Sequence, residues 1–146
     1  MGQKSTFVHV GLTVSNIQKT VEFYSKYFGF TLEEEGVFSE EFIAAKPMLY
    51  KQKPNVYSKY AMIKSPDGVV LELFEFVPQI AAKDALWHQP GYHHICLKVP
   101  DTKALYEQMV ADGCEYYFEP EEMAPGSPHH WVFLKDPDGN MIELQD

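Results

Sequence analysis

The chain has 146 residues, 45% hydrophobic and 14% aromatic, enough for the core of one compact domain or two small fused modules. Its formal net charge of −9 excludes a nucleic-acid surface, which needs a basic patch, and leaves room for a cationic ligand. All 12 basic residues are lysines, so the bidentate guanidinium clamp for ligand carboxylates is missing. Cys96 and Cys114 are too few for a disulfide framework and read as reduced thiols of a cytoplasmic protein. No apolar run reaches membrane-spanning length and no secretory signal opens the chain, so no membrane partner is expected. Met1 to Thr6 fits a myristoylation pattern, but the first strand follows at once and leaves little tether.

Phe7 to Val14 alternates as a first strand. Ser15 to Gln18 has the form of a capping box, with Ser15 as N-cap and Gln18 reaching back. The helix it opens carries the stripe Ile17, Val21, Tyr24, Phe28 and stops at Gly29. Phe30 to Glu35 is a second strand. In residues 36–57, Ser39 to Ala45 is a candidate short helix, and Pro47 and Pro54 mark an irregular loop. Tyr60 to Ile63 and Val69 to Phe76 form a hairpin around Ser65-Pro66-Asp67-Gly68. We therefore expect a first module over residues 1–78 and a linker over 79–91. The second module, residues 92–146, restarts the order: strand Tyr92 to Val99, then a helix capped by Asp101 with Leu105, Met109 and Val110 inward and Gly113 closing it. Glu115 to Phe118 is its next strand and Pro120 to Pro128 a loop. His130 to Leu134 and Asn140 to Gln145 flank the turn Asp136-Pro137-Asp138-Gly139.

The two halves are one phrase written twice. Ser65-Pro-Asp-Gly-Val-Val-Leu-Glu-Leu73 matches Asp136-Pro-Asp-Gly-Asn-Met-Ile-Glu-Leu144, and His9-Val-Gly-Leu-Thr-Val14 matches His94-Ile-Cys-Leu-Lys-Val99. Alternation puts His9, Glu72, His94 and Glu143 on the strand face opposite the aliphatic one. Two imidazoles and two carboxylates converging on one concave surface make a divalent-metal site, suited to nickel, cobalt, zinc, manganese or iron. Around it, Phe74, Tyr92 and His130 are candidate substrate-pocket residues, and Trp131 and Phe76 candidate walls. Cys96 shares the face of His94 and reads as a small core residue rather than a nucleophile. His93 and His129 read as outward-facing or loop residues.

A duplicated βαβββ module with an opening histidine, a helix ending Phe-Tyr-x-x-x-Phe-Gly-Phe (Phe23 to Phe30) and a closing Asp-Pro-Asp-Gly-x-x-x-Glu-Leu resembles the vicinal oxygen chelate superfamily. That group includes glyoxalase I, methylmalonyl-CoA epimerase, extradiol dioxygenases and the fosfomycin and bleomycin resistance proteins. The resemblance runs from about Phe7 to Gln145. It implies an α+β fold in which two tandem βαβββ modules form a cup-shaped, eight-stranded mixed sheet with helices outside. It leaves open whether the modules pair within one chain or between chains of an expected homodimer.

Carried onto this sequence, the family's ligand slots fall on His9, Glu72, His94 and Glu143. Two histidines with two glutamates look like glyoxalase I and imply one divalent metal ion per site. The resemblance implies a lyase or isomerase that works through a metal-stabilised enediolate on a small hydroxycarbonyl or thiol adduct. Glu72 or Glu143 would move the proton. An Fe(II) extradiol-type dioxygenase is the second reading; there Glu72 would be surplus. A non-catalytic protein sequestering a drug or other small molecule is the third, and the intact ligand set speaks against it. The missing arginines weaken the case for glutathione as part of the substrate.

Overall fold

A computed structural model of the chain describes residues 2–51, 54–84 and 86–146. It divides into two compact units, Met1–Ile80 and Ala81–Asp146. The first holds β1 (His9–Thr13), α1 (Ile17–Phe28), β2 (Thr31–Phe38), α2 (Glu40–Ala44), α3 (Pro47–Tyr50), β3 (Tyr57–Lys64) and β4 (Val70–Val77). The second holds β5 (His94–Lys98), α4 (Thr102–Ala111), β6 (Glu121–Glu122), β7 (His130–Lys135) and β8 (Met141–Gln145). Each unit carries one four-stranded sheet, in the orders β1-β4-β3-β2 and β5-β8-β7-β6. In both, the first strand lies parallel to the last and the other pairings are antiparallel. The fold is thus α+β with two tandem modules of the same topology.

One face of each sheet is aliphatic because alternate strand residues point the same way. In the first unit Ala61, Ile63, Leu71 and Leu73 are buried together with Ile17, Thr20 and Tyr24 of α1. The Tyr24 ring meets Phe30 edge-on at 5.4 Å. In the second unit Val132, Leu134, Ile142 and Leu144 are buried with Thr102 and Met109 of α4, and Tyr116 donates its hydroxyl to Met109 Sδ at 3.1 Å. Val110, expected inward, is exposed.

The repeat extends to the connections. In each hairpin the third residue after the turn's opening residue is a left-handed glycine, Gly68 at φ 96° and Gly139 at φ 81°. Ser65 Oγ accepts the Val69 amide and Asp136 Oδ1 accepts the Asn140 amide, both at 2.9 Å, so a hydroxyl and a carboxylate do the same work. Each main helix is capped twice. Asn16 accepts the Lys19 amide at 2.9 Å and Asp101 accepts the Ala104 amide at 2.9 Å. Then a carboxylate from the far end of the sheet takes the first helical amide. Glu75 accepts from Ile17 N at 2.9 Å and Asp146 from Thr102 N at 2.8 Å. These carboxylates sit at the positive end of the helix dipole. Burial pushes the Glu75 carboxyl up, but the Ile17 amide and the Lys59 ammonium outweigh it and leave it below the ordinary range. Asp146 is likewise held low: burial raises it, and the Thr102 and His130 amides more than offset that.

The structure corrects four local expectations. The N-cap of α1 is Asn16, not Ser15, and Gln18 bonds Glu22 along the helix instead of reaching back. Pro47, read as a loop marker, occupies the first turn of α3, where its missing amide costs nothing. Residues 115–118 do not form a ladder. Only Tyr116 bridges to Leu134, with Tyr117 N bonded to Phe133 O and Lys135 N to Glu115 O. The fourth strand is instead the two-residue β6, inside the segment expected as a loop.

Candidate metal centre

In the first sheet Glu72 lies in register between Gly11 of β1 and Met62 of β3. His9 precedes Gly11 by two residues and therefore faces the same way. Its Nε2 reaches Glu72 Oε2 at 2.9 Å. The second sheet repeats this register: Glu143 lies between Cys96 of β5 and Phe133 of β7, and His94 Nε2 is 3.3 Å from Glu143 Oε2. The carboxylates are half-buried, with 13% and 16% of their side chains exposed; His9 at 40% is the more open histidine, against 23% for His94.

The four expected residues thus stand as two His–Glu pairs, one within each unit. Among the described residues no group of three or more histidine, cysteine or acidic side chains gathers in ligand geometry. Each pair has suitable donor chemistry: one imidazole nitrogen and one carboxylate oxygen. Two neighbouring donors about 2.1 Å from one octahedral ion stand about 3.0 Å apart. The observed 2.9 and 3.3 Å lie close to that edge length.

The surroundings of the pairs differ. Glu143 also accepts the Gln145 side-chain amide at 2.9 Å and lies in register beside Cys96. Cys96, expected in the core, is exposed instead; partial desolvation of its thiol, with the Glu143 charge beside it, still pushes it up to about 11, so it is protonated at neutral pH and no nucleophile. In the first unit the slot of Cys96 is Gly11, which has no side chain to offer. Among the described residues Glu72 has His9 as its hydrogen-bonding partner, and its charge is also felt by the Tyr60 hydroxyl.

The expected pocket residues fall in both units, Phe74 in the first and Tyr92 and His130 in the second. Phe74 lies on β4 on the face of Glu72 and joins an aromatic row: Phe38 stacks on Tyr60 at 4.6 Å, on Phe42 at 4.9 Å and on Phe74 at 6.1 Å. Tyr92 precedes β5 and is fully exposed. His130 opens β7, half-buried, with its amide bonded to Asp146 Oδ1 at 2.8 Å. Trp131 shares the face of Glu143 and meets Phe118 edge-on at 4.9 Å. Sequence reasoning missed the neighbours of His94. Trp87 and His93 both lie against its ring, at 5.3 and 4.8 Å. The doubled histidine, His93-His94, was the one available signal.

Among the described residues no helix is long and apolar enough to cross a membrane. Residues 6–144 match the model of the Glyoxalase/Bleomycin resistance protein/Dioxygenase superfamily. The chain is 30% identical to a lactoylglutathione lyase of Pseudomonas putida, over 94% of this chain and 83% of that protein. It is 27% identical to a 2-epi-5-epi-valiolone epimerase of an Actinomyces species, over 93% and 76%. Among solved structures, a glyoxalase family protein from Bacillus cereus superposes with a TM-score of 0.79 at 19% identity, covering 99% of this chain and 95% of that one. The trypanothione-dependent glyoxalase I of Leishmania major gives 0.70 at 23%, covering 98% and 87%. A match over nearly the whole length, on a twice-written βαβββ module, makes this chain a member of the glyoxalase, bleomycin resistance and dioxygenase superfamily.

Proposed function

We propose that the protein is a divalent-metal-dependent lyase or isomerase of the glyoxalase I kind, with His9, Glu72, His94 and Glu143 as metal ligands. The observation that carries this reading is the pair of His–Glu contacts at 2.9 and 3.3 Å, at matching register positions of two modules. Relatives named as a lactoylglutathione lyase and an epimerase support the reaction class. When bound, the metal supplies Lewis acidity toward a substrate carbonyl. The chain's own part is to hold the substrate beside a carboxylate that takes a proton from one carbon and returns it to the next. Glu72 is the better carrier. Its carboxylate faces His9 and accepts no other side-chain hydrogen bond among the described residues, whereas Glu143 faces His94 and is also held by the Gln145 amide. Phe74, two residues along the same face, would pack against the apolar part of the substrate.

The substrate class is a small hydroxycarbonyl or a thiol adduct. With no arginine in the chain, a ligand's carboxylates would meet lysines as point charges without a bidentate fork. A cytoplasmic homodimer completes the reading, with analytical ultracentrifugation as the check on the dimer.

The test is elemental analysis of protein purified without added metal, then titration of the stripped form with nickel, zinc, manganese and iron. The expected result is one tight divalent ion per site, lost in His9→Ala and weakened more than about tenfold in Glu72→Gln and in Glu143→Gln. Wild-type metal content in both glutamine variants would sink the site assignment. Failure of every metal to bind a folded protein would favour the sequestering reading.

A further inference from the structure

The segment before β5 places two rings against His94 that the chemistry above leaves unused. Trp87 packs on His93 with centroids 4.1 Å apart, and the His93 and His94 rings meet edge to edge, centroids 4.8 Å apart and planes 21° apart. Phe133 meets His94 edge-on at 5.0 Å and Trp87 at 5.6 Å. At that shared edge the two Nδ1 atoms face each other at 2.7 Å. That is hydrogen-bond distance, so one Nδ1 donates and the other accepts.

The direction of that bond decides what His94 can do at its other nitrogen. A neutral imidazole has one N–H and one lone pair. If His94 donates from Nδ1, its Nε2, which faces Glu143, carries the bare lone pair that a metal requires. If it accepts at Nδ1, Nε2 carries the proton and can only hydrogen-bond the carboxylate. Ligating histidines commonly have their second nitrogen fixed by an acceptor, which sets both tautomer and ring orientation.

We propose that His93 is a positioning residue for the metal centre: its Nδ1 accepts the Nδ1–H of His94 and holds the tautomer in which His94 Nε2 can bind a metal. This rests on the reading of His94 as a ligand. Trp87 packs on the His93 ring and Phe133 meets His94 edge-on, so both imidazoles are backed by aromatic rings. Among the described residues the first module has no such device. Val8 precedes His9, is exposed and has no side-chain acceptor. The two half-sites therefore differ: His94 has an imidazole partner at its second nitrogen, and His9 has none among the described residues.

The experiment uses the whole chain and zinc, which is diamagnetic. Nitrogen NMR of the zinc-loaded protein should show the His94 proton on Nδ1, with a scalar coupling to His93 Nδ1 across the hydrogen bond. His93→Phe keeps a stacking ring but removes the acceptor, and should weaken zinc binding by about 10- to 100-fold. His93→Asn returns an oxygen acceptor near the Nδ1 position and should restore most of the affinity. Unfolding curves should leave the stability of the metal-free His93→Phe form near wild type. Zinc bound to His94 with wild-type affinity in His93→Phe, or a His94 proton found on Nε2 in the loaded protein, would overturn the proposal and leave the metal site standing. No zinc binding by the wild type would overturn both.

Discussion

Replacing Glu75 should loosen the first module at neutral pH and matter less in acid. The Glu75 carboxylate takes the first amide of α1 at 2.9 Å and the Lys59 ammonium at 2.9 Å, with 13% of its side chain exposed. A hydrogen bond to a charged group contributes about 1.5–3 kcal/mol, and partial exposure of the pair reduces that. Glu75→Ala should therefore cost about 1–2 kcal/mol at pH 7, and Glu75→Gln about half, because its amide oxygen still accepts from Ile17. The sign with pH follows from the lowered carboxyl. A carboxyl held lower in the folded state than the unfolded value of about 4.3 contributes fully above that value. The contribution is lost as pH falls through the folded value. Urea unfolding, followed by a probe in the first unit, at pH 7 and again at pH 3 measures this directly. The gap between wild type and Glu75→Gln should narrow at pH 3. An unchanged midpoint for Glu75→Ala at pH 7, or an equal gap at both pH values, would refute the clamp. Asp146 should behave with the same sign in the second module, since its carboxyl is also held low.

Other outcomes follow from the fold. Gly29→Ala forces a side chain into a φ of 69° with its Cβ 3.4 Å from Pro66 Cγ, and should lower stability by about 1–2 kcal/mol in a chemical denaturation curve. Leu73→Ala opens a cavity at a fully buried position of β4 and should cost about 2–5 kcal/mol by the same assay, enough to reduce soluble yield. For the metal centre proposed above, a chelator should abolish activity of the wild type and lower its melting temperature. Neither change should occur in an already metal-free His9→Ala protein.

The topology and the four candidate ligands were legible because they are written twice. One His or one Glu on a half-exposed strand carries no information, but the same residue in the same slot of a repeated phrase does. Strand alternation assigned the faces correctly: Leu71 and Leu73 are buried, and Glu72 opens to the other side. What failed was local and had local causes. Ser15 and Asn16 are both competent caps, and only backbone geometry chooses between them. A two-residue strand such as Glu121–Glu122 has no period to detect, and its glutamates and neighbouring prolines read as loop. The segment after Gly113 does run beside β7, yet closes a single bridge there. The stack on His94 was invisible for a different reason. Trp87 belongs to no strand or helix pattern, so its approach to His93 and His94 is a tertiary fact without a sequence period.

The parallel pairing of β1 with β4, and of β5 with β8, has a consequence for how the site comes into being. Each His–Glu pair joins the opening strand of its module to the closing one, so no local segment can preassemble it. The histidine waits until the hairpin partner has been laid down and the whole loop between them has closed, at the entropic cost that long-range contacts carry. A cation held by such a pair would act as a clasp on a finished module, recognising the native arrangement and ignoring the open chain. By mass action, free metal at 100 times its dissociation constant would then add about 2.7 kcal/mol to the folded state. Metal occupancy and resistance to unfolding would be one quantity seen from two sides.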